Sequence, residues 1–365
     1  AQEIIARLEL HRLANPEADA FVLLSDPTDA PQERIPGDEE IERALRRGVI
    51  ALNRKWHGGF CLLHRARQYN RAENCWMGWE RKRGKIEQFN AFLQTANRSA
   101  FPVTAGAVRR LVGTRFVVTA DADTRLSPGS VAKLAGALAH PLNRPVFDDG
   151  GRVVAGYTVL QPRIEIGPHG THTRFARLFG GDSAIDIYSR AVSDVYQDLI
   201  GTGNYVGKGI YDVEAFARSL AGRIPENLLL SHDLWEGLQG RAGLASDIVF
   251  YEGFPESYAE YARRWHRWVR GDWQLLPWLF DRVPGPGGQR IANRLTTFDR
   301  LRVWDNMRRS LLPPSVMLLL AGGWFVLPGS AWVWTAIALL VPGAWLFTEV
   351  VTGMARGRRR GGLAT

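Results

Sequence analysis

Apolar positions in the first half of the chain follow two rhythms. Ala20 to Leu24, Phe60 to His64 and Arg115 to Thr119 are short β-branched or aliphatic runs closed by polar residues, the pattern of buried strands. Between them lie stretches with helical spacing. Glu3 to Leu13 and Gly37 to Lys55 are such stretches, the second opening with acids as a helix dipole prefers, and a further helix begins at Lys85 and runs to Leu93. Gly151 to Leu160 follows an Asp-Asp-Gly-Gly turn and reads as hairpin and strand. Strands alternating with helices predict an α/β fold with a mostly parallel sheet flanked by helices. Ligands of such sheets sit beyond the carboxyl ends of strands, where Asp26 and Asp121 stand.

The later pattern differs. In Ser257 to Arg270, Tyr258, Tyr261, Trp265 and Trp268 share one face of a helix, and Arg263, Arg267 and Arg270 share the opposite one. Gly271-Asp272 is expected to break this helix before the apolar Leu275 to Phe280, and the segment reads as interfacial. A Pro/Gly loop, Pro284 to Gly288, precedes a basic helix expected from Ile291 to about Arg309. Two apolar stretches follow, Leu311 to Leu327 and Ala331 to Val351, around the turn Pro328-Gly329-Ser330. Each approaches the roughly 20 residues that cross a bilayer. Tryptophans crowd the region and arginines flank both ends, so a transmembrane hairpin with both ends cytoplasmic is expected. A buried hairpin in a soluble core is the alternative.

Composition sharpens this only slightly. The 365 residues are 45% hydrophobic and 23% charged, the proportions of a globular chain, with a formal net charge of +9. Arginine-rich charge suits phosphate groups, in nucleic acid, anionic lipid or nucleotide diphosphate alike. The arginines are dispersed and no nucleic-acid fold signature occurs, so no nucleic-acid partner is expected. Cys61 and Cys75 form neither a disulfide framework nor a zinc set, and read as reduced core thiols. The chain opens at Ala1 without a secretory leader, and it reads as a piece of a longer polypeptide.

Four constellations carry candidate chemistry. In Thr119-Ala-Asp-Ala-Asp-Thr124, Asp121 and Asp123 follow a buried strand and can both reach one hard cation, although an Asp-x-Asp is also a common surface loop. Asp233, in Ser231-His-Asp233, is a candidate general base for a sugar hydroxyl, and equally a cap for the helix that follows. Arg264-Trp-His-Arg267-Trp268 offers a guanidinium for a leaving diphosphate and a ring face for a sugar, or a membrane-interface belt. Gly207-Lys208-Gly209 lacks the spacing of a Walker loop. Lys85, at a helix start after Gly84, is better placed for anions, whereas Arg81 to Arg83 read equally as a solvated charge run. His169 and His172 are expected to be loop residues.

In this order, Asp26, Asp121-x-Asp123, Asp233 and Arg264-x-x-Arg267-Trp268 resemble the D, DxD, D, QxxRW signature of processive family-2 glycosyltransferases such as cellulose synthase. Longer strings are closer to the glycosyltransferase domain of bacterial cyclic β-1,2-glucan synthases, family 84. They are Ser25 to Asp29, Val206 to Asp212, Pro225 to Gly237 and His266 to Gln274, within a likeness running from about Leu8 to Arg309. The resemblance implies a GT-A-like catalytic domain over residues 1–255, its first strand missing, then interfacial helices at 256–310, the transmembrane hairpin at 311–353 and a basic cytoplasmic tail at 354–365. It implies an inverting transferase at the cytoplasmic face of a bacterial inner membrane, multi-pass, with UDP-glucose as donor, a glucan acceptor and Mg²⁺ or Mn²⁺ as cofactor. Asp26 and Lys85 would bind donor, Asp121 and Asp123 diphosphate and metal, Asp233 would be the base, Arg267 would face the diphosphate, and Trp268 with Arg264 would line the acceptor site. Arg264 departs from the family-2 Gln at that position. Two rivals stand beside this reading: a β-1,4 synthase of the cellulose or hyaluronan type, and a non-catalytic nucleotide-sugar-binding membrane protein.

Overall fold

The structure, a computed structural model, describes residues 1–167, 173–179, 194–229, 233–341 and 343. His169, His172, Ser231, His232 and the tail lie outside them. The chain divides into two compact units, Ala1–Asp299 and the residues from Arg300 onward.

In the first unit, α1 (Gln2–Ala14) and α2 (Asp38–Trp56) pack Leu8, Leu45, Val49 and Leu52 against Phe21, Phe60 and Leu62 of two strands. These strands, β1 (Phe21–Ser25) and β2 (Phe60–His64), are parallel with Ser25 opposite His64. Asp26 and Arg65 therefore leave the sheet side by side. A short hairpin follows, β3 (Gln68–Asn70) and β4 (Cys75–Met77), then α3 (Arg81–Thr95) and β5 (Val103–Ala105), which pairs antiparallel with β2.

A second, five-stranded sheet holds β6 (Phe116–Thr119), β7 (Arg125–Leu126), β10 (Val159–Ile166), β11 (Gly209–Asp212) and β12 (Ala242–Glu252) in the spatial order β6-β11-β10-β12-β7. α4 (Ser130–Ala139) covers it with Leu134 and Leu138 against Leu160, Ile210 and Phe250. A separate hairpin, β8 (Val146–Phe147) and β9 (Val153–Ala155), precedes β10. Short helices among the described residues include α5 (Arg174–Phe179), α6 (Val195–Ile200) and α7 (Val213–Leu220). α8 (Asp233–Gly240) then leads into β12, and α9 (Tyr258–Gln274) leaves it. A last hairpin, β13 (Arg282–Pro284) and β14 (Arg290–Ala292), ends the strands.

The α/β class is as expected, but the mostly parallel sheet is not. Among the described residues only β1–β2 and β10–β12 pair in parallel, while β11 runs antiparallel between β6 and β10 and β7 antiparallel beside β12. Helix–strand alternation reveals that crossovers exist, yet not where each strand inserts. This insertion has a consequence for the site. β6, β10 and β12 share a direction, so the carboxyl ends of β6 and β12 and the amino end of β11 meet at one sheet edge.

Two helix boundaries also differ. Gly271-Asp272 does not end α9, because both residues are buried within its last turn, which runs to Gln274. Ile291 lies in β14, and the helix expected there, α10 (Thr297–Phe325), starts only after it. Both cysteines are free, Cys61 buried and Cys75 half-buried.

In the second unit, α10 ends at Phe325 and residues 331–341 return as a helix after the Pro328–Ser330 turn. Trp324 donates to Thr335 Oγ1 at 3.0 Å, Trp334 donates to the Pro328 carbonyl at 3.0 Å, and the Trp324 and Trp332 rings cross at 5.6 Å. A helical hairpin thus forms. Among the described residues, however, no helix is long and apolar enough to cross a membrane. α10 begins in a charged segment, and its uncharged part is interrupted by Pro313, Pro314, Gly322 and Gly323. The second stretch, from Ala331, passes out of the described residues after 341.

Candidate functional site

The site is built at the shared sheet edge. β6 delivers Asp121 and Asp123, and the loop between them and β7 is pinned from both sides. Thr124 is buried, accepts the Asp121 backbone N–H at 3.1 Å and donates to Glu252 Oε1 at 3.1 Å. Arg7 of α1 donates to the Ala122 carbonyl. β7 pairs with the last residues of β12, Arg125 opposite Tyr251, which brings Glu252 under the loop. Oxygen atoms of Asp121, Asp123 and Glu252 consequently lie within 4.8 Å of one another. Three carboxylates from two strand ends suit a hard cation such as Mg²⁺ or Mn²⁺. Asp123 is exposed and Glu252 buried, so such an ion would have an open side.

Two lysines face this group. Lys82, in the first turn of α3, contacts Asp121 Oδ1 at 2.6 Å and donates to the Gly207 carbonyl at 3.0 Å. Lys208, just before β11, lies 3.3 Å from Asp121 Oδ2 and also pairs with Glu252. Burial alone would raise the Asp121 carboxyl, but the two ammonium groups outweigh it and hold its pKa below the usual carboxylate range. Burial likewise disfavours the Lys82 ammonium, yet Asp233 and Asp121 raise it on balance.

Asp233 opens α8 on the other side of Lys82. Its carboxylate rests against Gly207, where an added Cβ would come within 2.5 Å of Oδ1. Gly207 also has φ of +79°, so both the close approach and the backbone call for glycine. The preceding segment is tied down at Asn227, whose backbone N–H donates to Glu80 at 2.6 Å. Burial is the main cause raising the Asp233 carboxyl, with Asp121 adding to it and Lys82 and Lys208 opposing.

Glu236, one turn on, is buried and pushed up to about 8, first by burial and then by Asp233, against Lys82 and Arg83. In the unfolded chain a glutamate titrates near ~4.3. Between the two values the folded chain keeps a proton that the unfolded chain releases, so this residue lowers stability progressively as pH rises through that window. Glu236→Gln should remove that loss, so its melting temperature falls less between pH 5 and pH 8 than the wild type's, at about 1–2 °C per kcal/mol. Thermal melts of both proteins across the range check it. Asp233 titrates in both, so the difference reports Glu236.

Asp26 lies at the carboxyl end of β1, 2.6 Å from Arg65 Nε and 3.2 Å from Lys85 Nζ. Arg65 is buried and also donates to Gln88 and to the carbonyls of Trp79 and Arg81. Lys82 and Lys85, one turn apart on α3, thus serve different acids, and Lys85 pairs with Asp26 rather than with Asp121.

On α9 the aromatic face forms as the spacing predicts: Tyr261 stacks on Trp265 at 6.1 Å, and Trp265 meets Trp268 at 6.2 Å. Arg264 lies over the Trp268 ring at 4.9 Å and 3.9 Å from Glu252 Oε2, joining the aromatic face to the acidic group. Arg267 is exposed. The structure therefore brings Asp121, Asp123, Asp233, Arg264 and Trp268 into one neighbourhood, puts Asp26 and Lys85 in an adjoining one, and leaves Arg267 outside these contacts. Lys82, Glu236 and Glu252 were not singled out from sequence, and Lys208 was seen but not placed.

No family model matches the chain. Sequence comparison nevertheless finds a likeness to one segment of a cyclic glucan synthase. The relative is the cyclic beta-(1,2)-glucan synthase NdvB of Rhizobium meliloti (strain 1021), to which it is 41% identical over 346 residues. Those residues are 92% of this chain but 12% of the relative, so the chain corresponds to one segment of a much longer polypeptide.

Proposed function

We propose that this chain transfers glucose from UDP-glucose to a growing β-1,2-glucan, with inversion at the anomeric carbon, at the cytoplasmic face of the bacterial inner membrane. The observation that carries the reading is the meeting of Asp121, Asp123, Glu252 and Asp233 around Lys82 and Lys208 at the carboxyl ends of strands. Asp26, with Arg65 and Lys85, forms the part of the donor site that holds the nucleotide. Asp121, Asp123 and Glu252 would hold Mg²⁺ or Mn²⁺, which would offset diphosphate charge. Lys82 offers its ammonium to the departing diphosphate, and a preorganised contact of this kind is worth about 3–4 kcal/mol in the transition state. Asp233 takes the proton of the acceptor hydroxyl as that oxygen attacks from the face opposite the leaving group. Trp268 presents a ring face to the acceptor sugar, held in place by Arg264. Arg267, exposed on the same helix, offers a further guanidinium to the diphosphate.

The membrane part of the proposal rests on the second unit, where Met317, Leu318, Phe325, Val326, Trp332 and Leu340 are all exposed. Apolar side chains gathered on one helical hairpin favour a lipid surface over water.

Membranes carrying the longer parent protein, given labelled UDP-glucose and Mg²⁺, should yield glucan with 1→2 linkages by linkage analysis. A 1→4 product would assign the chain to the cellulose or hyaluronan type instead. Binding of UDP without release of glucose would make it a nucleotide-sugar-binding protein.

A further inference from the structure

Lys208 is buried, and its ammonium occupies the space between two of the three carboxylates assigned to the cation. Its backbone is fixed on both sides. Gly207 and Gly209 have φ of +79° and +133°, and Gly209 begins the β11 ladder opposite Thr119 of β6. The side chain is long and its ammonium is a compact point charge that can turn about a flexible stem. A divalent ion drawing on Asp121 and Glu252 must compete with that ammonium for the same oxygens. Three carboxylates already face two lysines, so an ion arriving alone adds charge to a group near balance. An ion arriving with a diphosphate does not.

We propose that Lys208 is an exchangeable internal cation: it bridges Asp121 and Glu252 until a divalent ion arrives with a nucleoside diphosphate, and so makes ion binding depend on the nucleotide. The displaced ammonium then turns towards the phosphate oxygens, the nearest anionic partner newly available. This role explains why the Gly-Lys-Gly string, which has no Walker spacing, places a lysine at the start of β11, an antiparallel strand, beside the carboxyl ends of β6 and β12. It rests on the assignment of the acidic group to a cation made under the proposed function.

The test is Mn²⁺ binding to the full chain, read from the electron paramagnetic resonance signal of free Mn²⁺, with and without UDP. In the wild type, UDP should tighten Mn²⁺ binding about ten-fold or more, within the usual span of coupling between two ligands. Lys208→Met should bind Mn²⁺ alone about ten-fold tighter than the wild type, and UDP should then add at most about three-fold. Lys208→Gln, which keeps a polar head without the charge, should behave like Lys208→Met, and it serves if the first variant folds poorly. Unchanged Mn²⁺ affinity with unchanged UDP coupling in these variants overturns the role of Lys208 while leaving the cation site standing. Absence of Mn²⁺ binding in every protein, with UDP or without, overturns the cation site itself and the exchange with it.

Discussion

Asp233→Asn is expected to lower glucosyl transfer by about 10²–10⁴-fold, the span of a lost general base, while UDP affinity stays within a few-fold. The substitution preserves shape, so the close fit against Gly207 survives. It removes one of the three acids that raise Lys82, but Lys82 keeps Asp121, Glu236 and the Gly207 carbonyl, and the diphosphate side of the site remains formed. What disappears is a carboxylate able to accept a proton. Burial raises the Asp233 carboxyl, which makes its anion a stronger base than an exposed aspartate and sharpens the effect of losing it. The same shift has a sign in the wild type. Below the raised value the base is protonated and idle, so the transfer rate should climb with pH on the acid side, and this limb should be missing from whatever activity the variant retains. Initial rates across pH, with UDP titrated calorimetrically, measure both parts. Near-normal rates would remove Asp233 from the mechanism.

How far the sequence led can be traced through particular residues. Asp26 and Asp121 were legible because each closes an apolar strand, a purely local signal. Glu252 carries the same signal at the end of Ile248-Val-Phe-Tyr-Glu252 and could have been found by it. Lys82 was hidden by a boundary error. With the helix expected to begin at Lys85, Lys82 fell into a solvated charge run, whereas α3 begins at Arg81 and turns Lys82 and Lys85 towards different strand ends. Helix ends are set by a few capping contacts and are the least legible part of a helix. The antiparallel insertion of β11 was not legible at all, since pairing order follows from contacts distant in sequence, and with it went the place of Lys208. Arg264 is a further case: the position reads as a departure from a glutamine, yet its guanidinium is what links Trp268 to Glu252. The hydrophobic hairpin was legible as two helices around a turn. Its length as a membrane span was not, because a 29-residue helix can begin in charged sequence and take only its second half from the apolar run.

Asp121→Asn should lose the Mn²⁺-dependent gain in UDP affinity and lower transfer by about 10²–10³-fold, comparable with removal of one preorganised charge contact. Asp121 is the residue on which the two lysines and the proposed cation converge, so its charge has three possible uses. The amide keeps an oxygen for one ammonium but turns an N–H₂ towards the other, and it offers a cation far less than a carboxylate does. Folding should survive, because Lys82 retains Gly207 and Asp233 and Lys208 retains Glu252. Metal-free UDP binding should not weaken, since two ammonium groups are left less neutralised beside the diphosphate. Asp123→Asn is the companion variant. Asp123 is exposed, so its loss reads the cation contribution with little disturbance of buried charge. Titration of UDP with and without Mn²⁺ separates these uses. If Mn²⁺ still tightened UDP binding in Asp121→Asn as much as in the wild type, Asp121 would be a counter-ion for two lysines and the cation would have to rest on Asp123 and Glu252.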